Sequence, residues 1–315
     1  MALTKLKKIV RSTRRYEPTW RYLFNFAPTL AYRFNRQALD GEAARVLADL
    51  NRKGVAVTTA QALLGTSTCY RELETAVDGL ENELAGALAT ARASANDQDT
   101  AGQKTFIYEL LDRYPVFDPG SIYARFALQQ PIMQIANAYF GMLTRLRYYN
   151  VWHTFATHVK PRESQLWHRD REDHLILKAF VYMRDVDEGT GPFTYAPSTH
   201  PKGARQQEAE YFVEGKVKRT TDEQMAKVIP AEQWVKGVGE RGTIVFADTR
   251  GYHKGGLARE RDRLMYTCMF TSQASESEEF MRRTKEFALP GDRAQAFALT
   301  PRKRGVQPHG KTGER

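Results

Sequence analysis

The sequence predicts a mainly β domain with flanking helices, an antiparallel barrel or sandwich such as a jelly roll. From about residue 105 onward, short runs rich in β-branched and aromatic residues follow one another, separated by glycine, proline and charged turns. Helical patterns are gathered ahead of these runs. The runs expected to form strands are 145–159, 175–186, 192–197, 242–248 and 263–272.

Before residue 105, apolar residues recur at helical spacing. Ala44, Leu47 and Leu50 share one face of a helix that Gly54 ends, and the following VAVTT has the composition of a strand. Helices are expected over 41–52, 71–94 and 221–229, a strand over 55–59 and a polar loop over 93–103.

Composition excludes several classes of protein. At 315 residues and 42% apolar content the chain is long and apolar enough to bury a core, which excludes a disordered protein. Two cysteines, Cys69 and Cys268, are too few for a disulfide scaffold or a cysteine-built zinc site and fit a reducing compartment. No stretch resembles a membrane span or a signal peptide, so we expect a cytoplasmic protein.

The net charge of +10 is concentrated at the two ends of the chain. Residues 1–36 hold nine Lys/Arg and one acid, and residues 301–315 hold five Lys/Arg and one acid. The remaining residues carry a net charge of −2, which argues against a uniformly basic nucleic-acid-binding surface. We therefore expect a basic aromatic extension over 1–40, a β domain with N-terminal helices over 41–290, and a basic tail over 291–315.

The N-terminal extension interleaves its bases with aromatic residues. Such a segment could lie on an anionic membrane or stack on nucleic acid. The interpretation favoured here is that the aromatic side chains pack onto the domain while the bases stay solvated. The aromatic residues are Tyr16, Trp20, Tyr22, Phe24, Phe26, Tyr32 and Phe34.

The stretch QLWHRDRED contains a candidate metal-binding pair. His168 and Asp170 stand at i and i+2, so in an extended segment both side chains leave the same face. A third ligand must come from a distant strand, and His253 follows the strand-like GTIVFAD. Two histidines and one carboxylate on one side of an octahedron form the facial triad of non-haem Fe(II) oxygenases, which leaves positions open for cosubstrate and O₂.

A candidate anion-binding residue follows the third ligand. Arg263 lies ten residues after His253, where a hairpin could return it toward the metal. Its guanidinium could pair with a dicarboxylate cosubstrate. Arg259 and Arg261 could do the same, and Arg263 is favoured because it begins a strand, which holds a side chain more rigidly.

Together these residues resemble the phytanoyl-CoA dioxygenase-like group of Fe(II)/2-oxoglutarate-dependent oxygenases. The motifs in order are WHRD at 167–170, LILKAFVYMRDVDEGTGPFTYAPSTHPKG at 175–203, RGTIVFADTRGYHKGG at 241–256, and Arg263. The resemblance covers roughly residues 41–275. It implies a double-stranded β-helix (jelly roll, cupin-like) and hydroxylation of an aliphatic C–H bond, with release of succinate and CO₂.

The resemblance also implies a role for each matching residue. His168, Asp170 and His253 would bind Fe(II), and Arg263 would hold the 5-carboxylate of 2-oxoglutarate, with O₂ as the other cosubstrate. Lys178 falls where some relatives place a further cosubstrate-binding side chain. Because related halogenases replace the carboxylate with a small residue, Asp170 favours hydroxylation. The segment APSTH departs from the PGSH usual in relatives, which affects the turn before His200 and not the ligands.

The sequence is also compatible with other metal ligands and with two other functions. Four other histidines could in principle be ligands, and we expect His153 and His158 to be strand or rim residues. One alternative function is a non-catalytic jelly-roll binding module with a structural metal. Another is a nucleic-acid demethylase of the same chemistry, which the net charge of −2 over residues 37–300 disfavours. Expected partners are a small-molecule or lipid-like substrate and, through the N-terminal extension, a membrane surface. Of the four other histidines that could be ligands, the two not yet named are His174 and His200.

Overall fold

Two antiparallel sheets face each other across an apolar core, and helices cover the outer side of the larger sheet. The structure is a computed structural model that describes residues 16–39, 41–97, 104–214, 217–275, 279–283 and 287–300. The larger sheet has the strand order β1-β9-β4-β11-β3-β2, the smaller one β10-β5-β8, and β6 and β7 form a separate hairpin. The strands are β1 Val55–Thr59, β2 Ile107–Glu109, β3 Arg145–Thr154, β4 Leu177–Tyr182, β5 Thr194–Tyr195, β6 Phe212–Glu214, β7 Val217–Arg219, β8 Val235–Lys236, β9 Thr243–Asp248, β10 His253–Lys254 and β11 Arg263–Thr271.

Most of the helices precede β3 along the chain. They are α1 Phe26–Phe34, α2 Gly41–Lys53, α3 Ala60–Leu64, α4 Cys69–Glu83, α5 Ala85–Ala93, α6 Ile122–Ala127, α7 Gln130–Phe140, α8 Asp222–Ala226 and α9 Arg293–Leu299. Single 3-10 turns occur at Glu163–Gln165, Glu188–Thr190 and Ala231–Gln233. Among the described residues, no helix has both the length and the apolar character that crossing a bilayer requires.

Strand alternation divides the larger sheet into a helix-facing and a sheet-facing side. On β4, Ala179 and Val181 belong to the core under the helices, whereas Phe180 belongs to the core between the sheets. The Phe180 ring lies 4.6 Å from that of Phe193, which stands just before β5 of the smaller sheet. Strand β4 therefore contributes to two cores, and the core between the sheets borders the candidate site at His253.

The structure confirms most of the expected elements. Each strand-like run contains a strand, and β1 spans the predicted 55–59. The helix expected over 71–94 is two helices, α4 and α5, because the chain leaves helical geometry at Leu84. Residues 98–103 of the expected loop and 301–315 of the basic tail lie outside the described residues.

Three helices after residue 105 were not predicted. In α7, Ile132, Met133, Ile135 and Ala136 are all buried. A helix that is apolar on most sides has little helical periodicity in its sequence, so it cannot be distinguished from a buried strand by pattern alone. The helices that were not predicted are α6, α7 and α9.

The N-terminal segment is helical and is anchored to the rest of the fold by Trp20. A turn at Glu17–Thr19 runs into a π-helical turn at Trp20–Phe24 and then into α1. Trp20 is 1% exposed, and its Nε1 donates a hydrogen bond to Asp173 Oδ1 at 2.8 Å. The expected packing of aromatic side chains therefore applies to Trp20. Four other aromatic residues are exposed: Tyr16, Tyr22, Phe26 and Phe34. The three-part division of the chain stays a prediction.

Replacing the anchor should destabilise the whole domain. We expect Trp20→Ala to lower the free energy of unfolding by about 3–5 kcal/mol, because it leaves a cavity and removes a hydrogen bond from the partly buried Asp173. Tyr16→Ala is the matched control at an exposed aromatic residue and should change stability by less than about 0.5 kcal/mol. Equal urea midpoints for both variants would mean that residues 17–34 are an appendage.

Candidate metal centre

Three predicted ligands meet between the two sheets. One ligand atom from each of His168, Asp170 and His253 lies within 4.8 Å of the other two. The Nε2 atoms of His168 and His253 are each 3.9 Å from a carboxylate oxygen of Asp170. These separations are those of donors that can reach one ion, and no other cluster of this kind occurs among the described residues.

A short backbone ladder holds the ligands in place. His168 and His253 are paired as an antiparallel bridge, with both N–H···O distances at 3.0 Å. Two residues further along, the Asp170 amide donates to Thr249 O at 2.8 Å. The His-x-Asp segment is therefore an additional edge of the smaller sheet, beside β10. Because successive side chains of an extended strand alternate, His168 and Asp170 point to the same side, as their spacing predicts.

Backbone carbonyls fix which nitrogen of each imidazole can bind a metal. His168 Nδ1 donates to Leu166 O at 2.8 Å, and His253 Nδ1 donates to Gly251 O at 3.0 Å. Each Nε2 therefore keeps its lone pair and faces Asp170. Gly251 is required at its position, because a Cβ there would collide with the hydroxyl of Tyr195.

The electrostatics favour the protonation states that a metal needs. Burial lowers the pKa of His253 to about 4 and holds that of His168 well below its usual value. Burial opposes ionisation of Asp170, but the ammonium of Lys178 and the two imidazoles outweigh it and hold the pKa of Asp170 far below its usual range. At neutral pH the cluster is two neutral imidazoles and a carboxylate.

Lys178 contacts the carboxylate ligand directly. Its Nζ lies 2.7 Å from Asp170 Oδ2, and each of the two side chains is 12% exposed. Burial alone would lower the pKa of Lys178, but Asp170 raises it above its usual value. The lysine thus orients the carboxylate from β4, and its expected contact with a cosubstrate stays a prediction.

Arg263 is a buried cation without an acidic partner in the described part of the chain. The residue is 2% exposed, its Nη1 donates to Thr190 O at 3.3 Å, and its Nε has no partner. Burial lowers its pKa to about 10, so it is charged at neutral pH. The two alternative arginines are exposed: Arg259 donates to Thr157 O, and Arg261 pairs with Asp187.

Unpaired polar atoms lie next to Arg263 on β3. In the β3–β11 register Arg263 stands opposite Thr154, and Met265 stands opposite Trp152. Thr154 Oγ1 and Trp152 Nε1 are buried without a hydrogen-bond partner among the described residues. Buried polar atoms are rarely left unpaired in proteins, so this group indicates space for a polar ligand. Nothing in the sequence pattern singles out Trp152 and Thr154, because only the strand register places them next to Arg263.

His153 links the residue before Arg263 to helix α4. Its Nε2 lies 2.7 Å from Asp262 Oδ2, and its Nδ1 lies 3.2 Å from Glu81 Oε1. Burial lowers the pKa of His153, but the two carboxylates together raise it above 6.5. Arg92 also pairs with Asp262, and Arg184 pairs with Glu81. The imidazolium therefore ties the start of β11 to the helical layer.

The other four histidines that the structure describes do not join the candidate metal cluster. His158 is exposed, and the His174 ring packs 4.9 Å from that of Trp20. A ring nitrogen of His200, Nε2, lies 3.3 Å from Asn51 O. His153 is an internal strand residue of β3, as expected.

Comparisons with known proteins support the fold. No family model and no curated protein matches the sequence. A structure of EctD from S. alaskensis with bound Fe aligns at a TM-score of 0.50 and 15% identity, over 79% of this chain and 85% of that one. The epimerase SnoN in complex with Fe3+, alpha ketoglutarate and nogalamycin RO aligns at 0.47 and 17%, over 84% and 92%. AviO1 from Streptomyces viridochromogenes Tue57 aligns at 0.46 and 14%, over 76% and 100%.

At such low identity the likeness to EctD shows a shared overall fold and nothing about activity. The other two alignments score too low to support an argument. The specific resemblance to the phytanoyl-CoA dioxygenase-like group therefore stays a prediction.

The His153 cluster predicts a pH-dependent stability. A raised pKa in the folded state means that the stabilisation is complete below pH 6.5 and is lost as pH rises through the folded-state pKa. We expect His153→Gln to lower the free energy of unfolding by about 1–3 kcal/mol below pH 6.5, and by less at high pH. Urea unfolding across pH measures this difference, and exposed His158→Gln is the control. A difference that grows with pH would contradict the assignment.

Proposed function

We propose that this protein is an Fe(II)/2-oxoglutarate-dependent dioxygenase that hydroxylates an aliphatic C–H bond of a small-molecule or lipid-like substrate. The observation that carries the proposal is a His-Asp-His cluster accompanied by a buried arginine that has no acidic partner among the described residues. The two facing sheets support a double-stranded β-helix as the fold.

The donor set fits ferrous iron. Two neutral imidazoles and one carboxylate suit a metal that needs open positions for exchangeable ligands. A zinc site with three protein ligands is also compatible with these donors, but it leaves Arg263 without a function. A dicarboxylate cosubstrate would provide an acceptor for the Arg263 guanidinium and for the buried Thr154 hydroxyl and Trp152 N–H.

Each residue of the site would have its own role. His168, Asp170 and His253 would hold the metal, and Lys178 keeps Asp170 oriented. Arg263 would bind the 5-carboxylate of 2-oxoglutarate. When bound, ferrous iron with 2-oxoglutarate and O₂ supplies an oxidant strong enough to hydroxylate a C–H bond, with release of succinate and CO₂. The rings of Phe180 and Phe193 would help to keep bulk water away from that reaction, because the Phe193 ring lies 5.6 Å from that of His253.

The charge distribution along the chain bears on the class of substrate. The nearly neutral body of the chain disfavours a nucleic-acid substrate. A small organic or lipid-like molecule remains the proposal, and the carboxylate of Asp170 favours hydroxylation as the outcome.

Loss of Arg263 should weaken cosubstrate binding while leaving iron binding intact. Anaerobic addition of Fe(II) and 2-oxoglutarate to the wild type should give the weak visible absorption of their complex. In Arg263→Met the apparent dissociation constant for 2-oxoglutarate should rise about 30- to 1000-fold, because a buried charge pair is lost.

Arg261→Met is the matched control, since Arg261 is an exposed arginine two residues away. It should titrate like the wild type. Equal affinities for all three proteins would contradict the role of Arg263. A normal titration without succinate release under air would favour the non-catalytic binding module instead.

A further inference from the structure

The outer face of the N-terminal helical segment is an exposed apolar stripe. Phe26, Leu30 and Phe34 recur every four residues along α1, so they lie on one face of the helix. They are 56%, 39% and 81% exposed, and Leu23 in the preceding turn is 69% exposed. Soluble surfaces rarely leave such side chains contiguous and uncovered, so the stripe indicates a binding surface.

The opposite face of the segment is firmly attached to the body. Trp20 is buried, and Arg21 Nη1 donates to Phe140 O at 2.7 Å. Asn25 Oδ1 accepts from the amide of Ala274 at 3.0 Å, and Pro28 is a buried residue of α1. The stripe is therefore held in a fixed orientation, pointing away from the core.

Two exposed bases accompany the stripe in the described part of the chain. Arg33 and Arg36 are exposed and have no acidic partner among the described residues. The sequence before the stripe adds six Lys/Arg and no acid over residues 1–15, and its apolar residues Leu3, Leu6 and Val10 are spaced three and four apart. Apolar residues combined with many bases are the composition of segments that lie on anionic bilayers.

We propose that the stripe of Leu23, Phe26, Leu30 and Phe34 docks on an anionic lipid surface, with the surrounding bases contacting the headgroups. Aliphatic Leu23 and Leu30 have a use in a bilayer interface, whereas nucleic acid offers them no comparable apolar environment. The docking surface is attached to the segment that carries His168 and Asp170, because Trp20 donates a hydrogen bond to Asp173, three residues after Asp170. This proposal does not depend on the identity of the metal or of the cosubstrate.

Vesicle co-sedimentation of the full chain tests the proposal. Wild type should bind vesicles of phosphatidylcholine mixed with phosphatidylserine more strongly than vesicles of phosphatidylcholine alone, and added salt should weaken the binding. The double variant Phe26→Ser/Phe34→Ser should lower the partition coefficient about tenfold or more. Arg33→Gln/Arg36→Gln should reduce the dependence on phosphatidylserine.

A matched control lies on the β6–β7 hairpin. Phe212 and Val213 are also exposed apolar residues, and Phe212→Ser/Val213→Ser should bind vesicles like the wild type. If the stripe variant fails to fold, Phe34→Trp replaces it: its fluorescence should shift to the blue on addition of the mixed vesicles, and that of Phe212→Trp should not.

Three results would overturn the proposal. The first is equal vesicle binding by the wild type and the folded stripe variant. The second is a wild-type dimer that becomes monomeric in the stripe variant while vesicles are not bound, which would identify a second copy of the chain as the occupant. The third is stripe-dependent binding to single-stranded nucleic acid in place of vesicles.

Discussion

The candidate site depends on the antiparallel pairing of the His168–Asp170 segment with the chain from Thr249 to His253. Three backbone hydrogen bonds form this ladder, and the two imidazoles are oriented by the carbonyl groups of Leu166 and Gly251. Candidate ligands that are far apart in sequence are thereby placed within 4.8 Å of one another. The close approach of Tyr195 explains why position 251, in the turn before β10, is a glycine.

The larger sheet supplies the charged groups around this ladder. Lys178 from β4 and Arg263 from β11 project into the space between the sheets, each from a strand that is buried on both faces. Burying a cation is costly unless an anion compensates it. Lys178 has Asp170 as its anion, whereas no described acid compensates Arg263, and this difference separates an orienting residue from a candidate ligand-binding one.

Sequence reasoning recovered the local patterns and missed what depends on long-range packing. The strands at 55–59 and 263–272 and the helix at 41–52 follow from periodicity and turn residues, and His168, Asp170 and His253 follow from spacing and order. Helix α7 was missed because its sequence is apolar on most sides. Three features of the site depend on the strand register, which one sequence does not reveal. They are the contact of Lys178 with Asp170, the ion pairs of His153 with Glu81 and Asp262, and the unpaired atoms of Trp152 and Thr154.

The most direct test of the central claim is anomalous diffraction near the iron edge, from crystals of the protein loaded with Fe(II) under anaerobic conditions. The account predicts one strong peak within bonding distance of Nε2 of His168, Nε2 of His253 and a carboxylate oxygen of Asp170. A peak bound to other residues, or iron contacting only one of these three side chains, would contradict it.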